Sequence, residues 1–291
     1  MNAENFLDLG LDKAHRGDYT GAIEDFNQAL LIDPSDAYTR VNRGYAYYKL
    51  GDKQVAMQDF NQALRLDPNL TEAYSNRGYA RFYLGDYGGA IEDFTHVLRL
   101  DPNDAEAYSN RGYARFYLGD YREAIENLNQ ALLINPNFAE AYHYRGRVYY
   151  ELGAKSKAIE DWNQALRLNL DADTYVCRGV AYSTLGNLSQ AISDWDLALQ
   201  IDCNHVNAYV NRGSAHHVLG NRQKALSDFN QALERNPELA EAYYNRGLVL
   251  AELGELQEAI ADLQKAADLY LKQEKTDASQ QVLHDLFNLS P

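Results

Sequence analysis

Six histidine and cysteine residues interrupt an otherwise repetitive sequence and are its candidates for metal binding or nucleophilic attack: His143, Cys177, Cys203, His205, His216 and His217. Cys203 and His205 lie in a predicted turn, and His216 and His217 are helix neighbours whose side chains point apart. None of the six has the H-x-x-x-H or C-x-x-C spacing of a zinc site. The sequence also lacks a glycine-rich phosphate loop, a nucleophile elbow and a paired-carboxylate constellation. It therefore predicts no catalytic centre, no metal and no cofactor.

The charge balance narrows the classes of partner. The 291 residues are 46% hydrophobic and 24% charged, and they carry a formal net charge of -15. A folded protein is expected from this composition. The negative charge disfavours binding to nucleic acid or to an anionic membrane surface, because both attract Lys and Arg.

Targeting signals and cysteine usage suggest a compartment. The first residues show no basic segment followed by an apolar one, so no signal peptide is expected. No apolar run of about 18 residues predicts a membrane span. Two cysteines form no disulfide framework, which favours the reducing cytoplasm.

Internal repetition is the strongest feature of the sequence. Two glycines seven residues apart recur every 34 residues, with one interval of 33, and residues 72–87 and 106–121 are identical. The first glycines are Gly10, Gly44, Gly78, Gly112, Gly146, Gly179, Gly213 and Gly247. The second glycines are Gly17, Gly51, Gly85, Gly119, Gly153, Gly186, Gly220 and Gly254. A period of this length predicts an array of stacked structural units.

Each repeat is predicted to contain two helices. The first carries Tyr-x-Asn-Arg-Gly-x-Ala and ends near the second glycine, and the second carries Ala-Ile-x-Asp-Phe-Asn-Gln-Ala-Leu and often ends at a proline. Asp120 and Glu123 have capping-box spacing. Asp or Asn follows the second glycine in six repeats, where it is expected to cap the second helix. These residues are Asp18, Asp52, Asp86, Asp120, Asn187 and Asn221.

The glycine within the first helix requires a structural reason, since glycine there costs about 1 kcal/mol relative to alanine. We expect a close crossing of the two helices of a repeat, where no Cβ separates the backbones. Ala22 and Ala29 and their equivalents fit the same crossing.

This pattern of large aromatic, Gly, Ala, Ala and Pro positions resembles the tetratricopeptide repeat (TPR) family over nearly the whole chain. The resemblance implies an all-α fold, a right-handed α-solenoid of eight helix-turn-helix units with a final capping helix whose outer face is polar. One solenoid is expected over residues 1–291. The predicted units are residues 3–36, 37–70, 71–104, 105–138, 139–171, 172–205, 206–239 and 240–273, with the capping helix at 274–289.

The resemblance also implies a concave groove lined by the first helices. Residues on one face of these helices are candidates for binding a peptide, because amides can bond a peptide backbone and tyrosine rings can cover its side chains. The asparagines are Asn42, Asn76, Asn110, Asn211 and Asn245. The aromatic residues are Tyr45, Tyr79, Tyr113, Tyr48, Phe82, Phe116, Tyr83 and Tyr117. The alternative is that these asparagines support neighbouring helices and the tyrosines fill the solenoid.

The predicted groove rim is acidic, which favours a neutral or basic protein or peptide partner. The rim residues are Glu72, Glu106, Glu140, Asp173 and Glu241. A solvated face is the alternative interpretation for any single carboxylate. A carboxylate clamp for acidic chaperone tails, the best-known binding mode of the family, needs Lys and Arg where this chain has Val41, Ser75, Ser109, Glu72 and Glu106. No clamp is therefore expected.

An arginine row accompanies the packing glycines, and each arginine follows a repeat with Asp or Asn at a fixed position. This pattern predicts structural Arg–Asp contacts between successive repeats, as between Asp93 and Arg111. A non-catalytic scaffold that binds a peptide in its groove is the favoured function. The alternative is a structural subunit or assembly factor that uses its convex face or its ends, and an enzyme is a distant third.

Overall fold

Seventeen α-helices follow one another in the computed structural model, which describes the backbone of residues 1–289 and the side chains of residues 1–287. No strand occurs in residues 1–289. The helices are α1 Ala3–His15, α2 Tyr19–Ile32, α3 Ala37–Lys49, α4 Lys53–Leu66, α5 Thr71–Tyr83, α6 Tyr87–Leu100, α7 Ala105–Leu118, α8 Tyr121–Ile134, α9 Ala139–Glu151, α10 Lys155–Leu168, α11 Ala172–Thr184, α12 Leu188–Ile201, α13 Val206–Val218, α14 Arg222–Arg235, α15 Ala240–Leu253, α16 Leu256–Lys272 and α17 Thr276–Leu289. The predicted eight helix pairs and final helix are confirmed.

Contacts divide the chain into two compact units, Met1–Leu152 and Gly153–Pro291. The N-terminal unit contains α1 to α9 and the C-terminal unit contains α10 to α17. Within the N-terminal unit, each helix packs on its neighbours in the chain, and α3 also contacts α5 while α7 contacts α9. The odd-numbered helices therefore lie side by side there. In the C-terminal unit each helix likewise packs on its neighbours in the chain, and α13 also contacts α11 and α15.

The two helices of a repeat cross closely at the first glycine. A Cβ added to Gly44 would lie 2.8 Å from Cε1 of Phe60, and one added to Gly78 would lie 3.0 Å from the ring of Phe94. Both phenylalanines are fully buried. The two helices do pack closely at these glycines, but the ring of the second helix, and not its backbone, fills the space that a side chain would take. The second glycine of each repeat has a positive φ, 83° at Gly119, which ends the first helix.

The predicted caps form in only half of the six repeats. Asp86 accepts a hydrogen bond from Gly89 N at 2.9 Å, and Asp18 and Asp52 cap their helices in the same way. Asp120, Asn187 and Asn221 make no side-chain cap bond, so the capping box at Asp120 is wrong. A side chain at the donating residue does not decide the outcome, because Val55 stands in repeat two where repeat four has Glu123 and still donates its N–H to Asp52 at 3.2 Å.

The arginine row forms, but its predicted direction is wrong. Arg77 pairs with Asp93 of its own repeat, and its NH1 donates to Asn61 of the preceding repeat at 2.7 Å. The aspartate therefore holds the arginine within one repeat, and an asparagine links it to the repeat before. A periodic sequence offers Arg77 both Asp59 and Asp93, and the helix crossing decides between them. Pairs of the same kind within a repeat include Arg43–Asp59, Arg178–Asp194, Arg212–Asp228 and Arg246–Asp262.

Candidate functional site

The predicted groove residues of repeats two to four lie on α3, α5 and α7 of the N-terminal unit. Their spacing of three, four and seven residues places the asparagine and the tyrosines on one side of each helix. All of these side chains are half-buried or exposed, and none is fully buried. The odd-numbered helices therefore present a row of polar and aromatic side chains at the surface of this unit.

The asparagines do not form a uniform row. Asn42 donates its side-chain N–H to Tyr38 O of its own helix at 2.9 Å. Asn110 donates to the Tyr79 hydroxyl at 2.6 Å, and Asn245 reaches Ser214 Oγ at 3.5 Å. These three amides already stabilise the array itself.

Asn76 and Asn211 differ from the other three asparagines. Their side chains are partly exposed, and no side chain or backbone group of residues 1–289 hydrogen-bonds with either amide. Each therefore offers its full set of donors and its acceptor to a ligand. Asn76 lies within the N-terminal unit, near the aromatic residues of α5 and α7, while Asn211 belongs to the C-terminal unit.

A hydrogen-bond chain joins α5 to α7 next to Asn76. The Tyr79 hydroxyl donates to a Glu106 carboxylate oxygen and accepts from Asn110. Burial of the phenol, followed by this bond to a carboxylate, raises the pKa of Tyr79 far above its ordinary value. These two hydrogen bonds order one edge of the candidate groove and provide partners for the polar groups of Tyr79, Glu106 and Asn110.

An aromatic cluster occupies the centre of the same surface. The ring of Tyr113 stacks on Phe82 with a centroid distance of 5.1 Å and on Tyr144 at 3.9 Å. Rings of α5, α7 and α9 thus stack in succession across three repeats. Burial, with Glu140 as a smaller cause, raises the pKa of Tyr144 to about 12.

Two tyrosines at the edge of this cluster remain accessible. Tyr83 is 61% exposed and Tyr117 is 42% exposed. The Tyr117 ring stacks on Tyr87 at 4.9 Å, and its hydroxyl lies 3.1 Å from the hydroxyl of Tyr113. The cluster therefore has a half-buried base and an exposed edge.

The remaining predicted residues surround this cluster. Tyr48 contacts Tyr83 with a centroid distance of 6.3 Å, and Phe116 stacks on Tyr113 at 6.0 Å. Tyr45 contacts Tyr19 of α2 instead, at 6.4 Å. The predicted aromatic residues of repeats three and four therefore converge, whereas Tyr45 packs toward repeat one.

Glu72 and Glu106 occupy matching places at the start of α5 and α7. Both are exposed and lie in the first turn of their helix. Negative charge there is favoured by the helix dipole. Glu106 also holds the Tyr79 hydroxyl, so its role is partly structural.

The sequence prediction missed Tyr144, Tyr87 and Arg147. Tyr144 and Arg147 stand where repeat four has Asn110 and Tyr113, 34 residues earlier, so the break in the pattern was the available signal. Arg147 NH1 donates to the Tyr113 hydroxyl, and the guanidinium lies 5.0 Å from the Phe116 ring centroid. This cation–π contact adds one positive charge to the cluster.

The histidines and cysteines do not gather into a reactive centre. His205 Nε2 lies 3.0 Å from Asp173, and His217 Nε2 lies 2.9 Å from Glu252. Residues 1–289 contain no group of three or more His, Cys, Asp or Glu side chains arranged to hold a metal. Neither Cys177 nor Cys203 forms a disulfide with any residue that the structure describes. Of the helices described, none combines the length and the apolar character needed to cross a membrane.

Family profiles match most of the chain. A profile described as TPR repeat matches residues 10–51, 78–117 and 112–153. Two profiles described as tetratricopeptide repeat match residues 37–70 and 139–171, and residues 210–270. No curated protein matches the sequence.

Solved structures show the same fold. A tetratricopeptide repeat protein from Parabacteroides merdae is 21% identical, with a TM-score of 0.70 over 85% of this chain and 98% of its own. A thermophilic TPR protein from Thermus thermophilus is 25% identical, with a TM-score of 0.55 over 62% of this chain and 98% of its own. YrrB, described as a TPR protein with an unusual peptide-binding site, is 24% identical, with a TM-score of 0.54 over 67% of this chain and 99% of its own.

Proposed function

This chain belongs to the tetratricopeptide repeat family, and we propose that it is a non-catalytic scaffold that holds a short segment of a partner protein. The segment lies on the face formed by α3, α5 and α7 of the N-terminal unit. The observation that carries the proposal is the pairing of an exposed aromatic edge at Tyr83 and Tyr117 with the unengaged amide of Asn76.

Each part of this surface has a physical role in the proposal. The Asn76 amide bonds the backbone of the segment, which requires no particular sequence. Tyr83 and Tyr117 cover its apolar side chains, and their rings lose little entropy because the cluster already orders them. YrrB, described as having an unusual peptide-binding site, offers a parallel within the fold.

The charge at the surface favours a neutral or basic segment. Glu72 and Glu106 are exposed, whereas Arg147 is half-buried and directed at the tyrosine cluster. An acidic segment would meet two exposed carboxylates. A cytoplasmic location is part of the same proposal, and it agrees with Cys177 and Cys203 forming no disulfide within the described residues.

The test is affinity capture with the intact chain as bait, compared with a Tyr83→Ser/Tyr117→Ser variant. We expect at least one protein to bind the parent and be lost with this variant. The matched control is Leu31→Ser/Leu133→Ser, which changes two residues of α2 and α8 that are 73% and 74% exposed. Loss of the same protein with the control, or its retention with the tyrosine variant, would argue against the proposed surface.

A second candidate function is assembly into a larger complex through an end of the array. Leu283 and Phe287 of α17 lie one helical turn apart and are 46% and 78% exposed. The expected outer face of the capping helix was polar, and these two residues depart from that expectation. In the capture experiment, proteins lost with a Leu283→Ser/Phe287→Ser variant but not with the tyrosine variant would favour this alternative.

A further inference from the structure

Repeats three and four place the same two arginines in different surroundings. Residues 72–87 and 106–121 are identical, so Arg77 and Arg81 correspond to Arg111 and Arg115. The second helices of the two repeats differ in sequence. Any difference in how the two arginine pairs are neutralised therefore comes from α6 and α8.

In repeat three, one aspartate neutralises the pair. Asp93 accepts from Arg77 Nε at 3.0 Å and NH2 at 2.6 Å, and from Arg81 NH1 at 3.0 Å. The Asp93 side chain is only 1% exposed. Arg81 also lies 3.6 Å from Asp86. The two guanidinium groups thus converge on one buried carboxylate.

In repeat four, the carboxylate is replaced by an amide. Asn127 Oδ1 accepts from Arg111 Nε at 2.6 Å, while Asn127 Nδ2 donates to Glu123 O at 2.6 Å. Arg111 NH1 reaches only the Thr95 hydroxyl, at 3.2 Å. No carboxylate within residues 1–287 forms an ion pair with Arg111 or Arg115. Neither guanidinium group therefore has an ion-pair partner among these residues.

The uncompensated pair lines an open cavity of about 420 Å³. Its lining residues are Tyr108, Arg111, Arg115, Glu126, Asn127 and Gln130. Both arginines are half-buried. Burial, together with the charge of Arg115, lowers the pKa of Arg111, as expected for a cation that lacks a partner. Glu126, at the cavity edge, is held by Arg122 at 3.3 Å.

We propose that Arg111 and Arg115 form a binding site for a single oxyanion, a carboxylate or a phosphate. The bound anion lies in this cavity beside Asn127, accepts from the guanidinium groups and supplies the negative charge that Asp93 supplies in repeat three. Arginine suits this role because its planar fork of donors matches both kinds of oxyanion.

This site is separate from the proposed groove. Tyr108, Arg111 and Arg115 follow one another at three and four residues and share one side of α7. Asn110, Tyr113 and Tyr117 share a different side of the same helix. An oxyanion at Arg111 therefore does not compete with a segment on the aromatic cluster.

The test is calorimetric titration of the full chain with inorganic phosphate and, separately, with acetate, each against chloride at the same ionic strength. We expect one site per chain. Asn127→Asp restores the arrangement of repeat three and should weaken binding at least about tenfold. Arg115→Gln should weaken it similarly, whereas Arg16→Gln, at an exposed arginine directly after α1, should leave it unchanged.

A converse variant makes the test sharper. Asp93→Asn gives repeat three the arrangement of repeat four and should raise the stoichiometry from one anion to two. Binding of phosphate alone assigns the site to phosphate, and binding of both anions assigns it to oxyanions generally. Absence of binding by either anion, or equal affinity of the Asn127→Asp variant, overturns the proposal. The Asn127→Asp comparison decides the question even if Asp93→Asn does not fold.

Discussion

Arg77 holds Asp93 of its own repeat through two donors, Nε at 3.0 Å and NH2 at 2.6 Å. The same arginine donates NH1 to Asn61 of the repeat before. One side chain therefore links the two helices of its own repeat to the preceding repeat. Because contacts between neighbours dominate the stability of a repeat array, loss of this link is expected to lower the stability of the adjacent repeats as well.

Loss of the Arg77–Asp93 pair should destabilise the array, and the effects of the two substitutions on the unfolding free energy should be coupled. The Arg77 and Asp93 side chains are 15% and 1% exposed, so Asp93→Ala leaves buried charge and should cost about 3 kcal/mol or more. In a double-mutant cycle with Arg77→Ala, we expect a coupling energy of about 1–3 kcal/mol from denaturant unfolding. The control cycle, Asp93→Ala with Arg111→Ala, should be much closer to additive. The reverse ranking of the two cycles would contradict pairing within the repeat.

The helix crossing at the first glycine gives a second prediction. A Cβ on Gly112 would lie 3.0 Å from Leu128 Cγ and 3.1 Å from the Ala124 carbonyl oxygen, which belongs to the backbone and cannot easily move. Gly112→Val should therefore destabilise the protein by about 2 kcal/mol or more.

The matched control for that variant is Gly88→Ala, because nothing lies within 4 Å of a Cβ at Gly88 in α6. This change should stabilise the protein by about 0.5–1 kcal/mol, since alanine favours a helix. Thermal unfolding measures both. Equal melting temperatures for Gly112→Val and the parent would contradict the close crossing.

The helix pairs and their close contacts at the first glycines can be predicted from the sequence. The bonding partners of individual side chains can be predicted only in part. The 34-residue period and the paired glycines predict the helix pairs because each requires a specific backbone geometry. The partner of Arg77 does not follow, because Asp59 and Asp93 lie at comparable distances along a periodic chain. The cap at Asp120 does not form although Asp86 caps its helix, and residues 72–87 and 106–121 are identical, so the capping rule cannot separate the two positions.

The candidate site, too, can be predicted from the sequence only in part. Helical spacing places Tyr113 and Tyr117 on one side of α7, and the packing of α5 on α7 brings the ring of Phe82 against both of them. Tyr144 stands where repeat four has Asn110, so the repeat pattern does not mark it as a groove residue, yet its ring stacks on Tyr113 at 3.9 Å. The hydrogen bond from Asn110 to the Tyr79 hydroxyl joins two repeats, and the spacing of residues along one helix does not predict it.

The buried phenol of Tyr144 predicts a loss of stability at high pH. Its pKa is raised to about 12 in the folded chain, against about 10 in an unfolded one. The folded state therefore retains a proton that the unfolded state loses. This contribution to stability is fully present below pH 10 and is lost as the pH rises from about 10 to about 12.

Tyr144→Phe keeps the ring and removes the hydroxyl, so it should flatten the fall in unfolding free energy between these pH values. Urea unfolding at several pH values measures the slope for both proteins. Tyr38→Phe is the control, because Tyr38 is 45% exposed. A slope in the Tyr144→Phe protein as steep as in the parent would show that the phenol is not desolvated.

The central claim is that a partner segment lies on the aromatic cluster beside Asn76, and calorimetric affinity tests it most directly. With a captured partner segment as ligand, Asn76→Ala/Tyr117→Ala should weaken binding at least about tenfold, through a lost hydrogen bond and a lost ring contact. Leu133→Ala on α8 should leave the affinity unchanged, and circular dichroism should show that both variants are folded. Equal affinity of the double variant and the parent would contradict the account and move the interface away from α5 and α7.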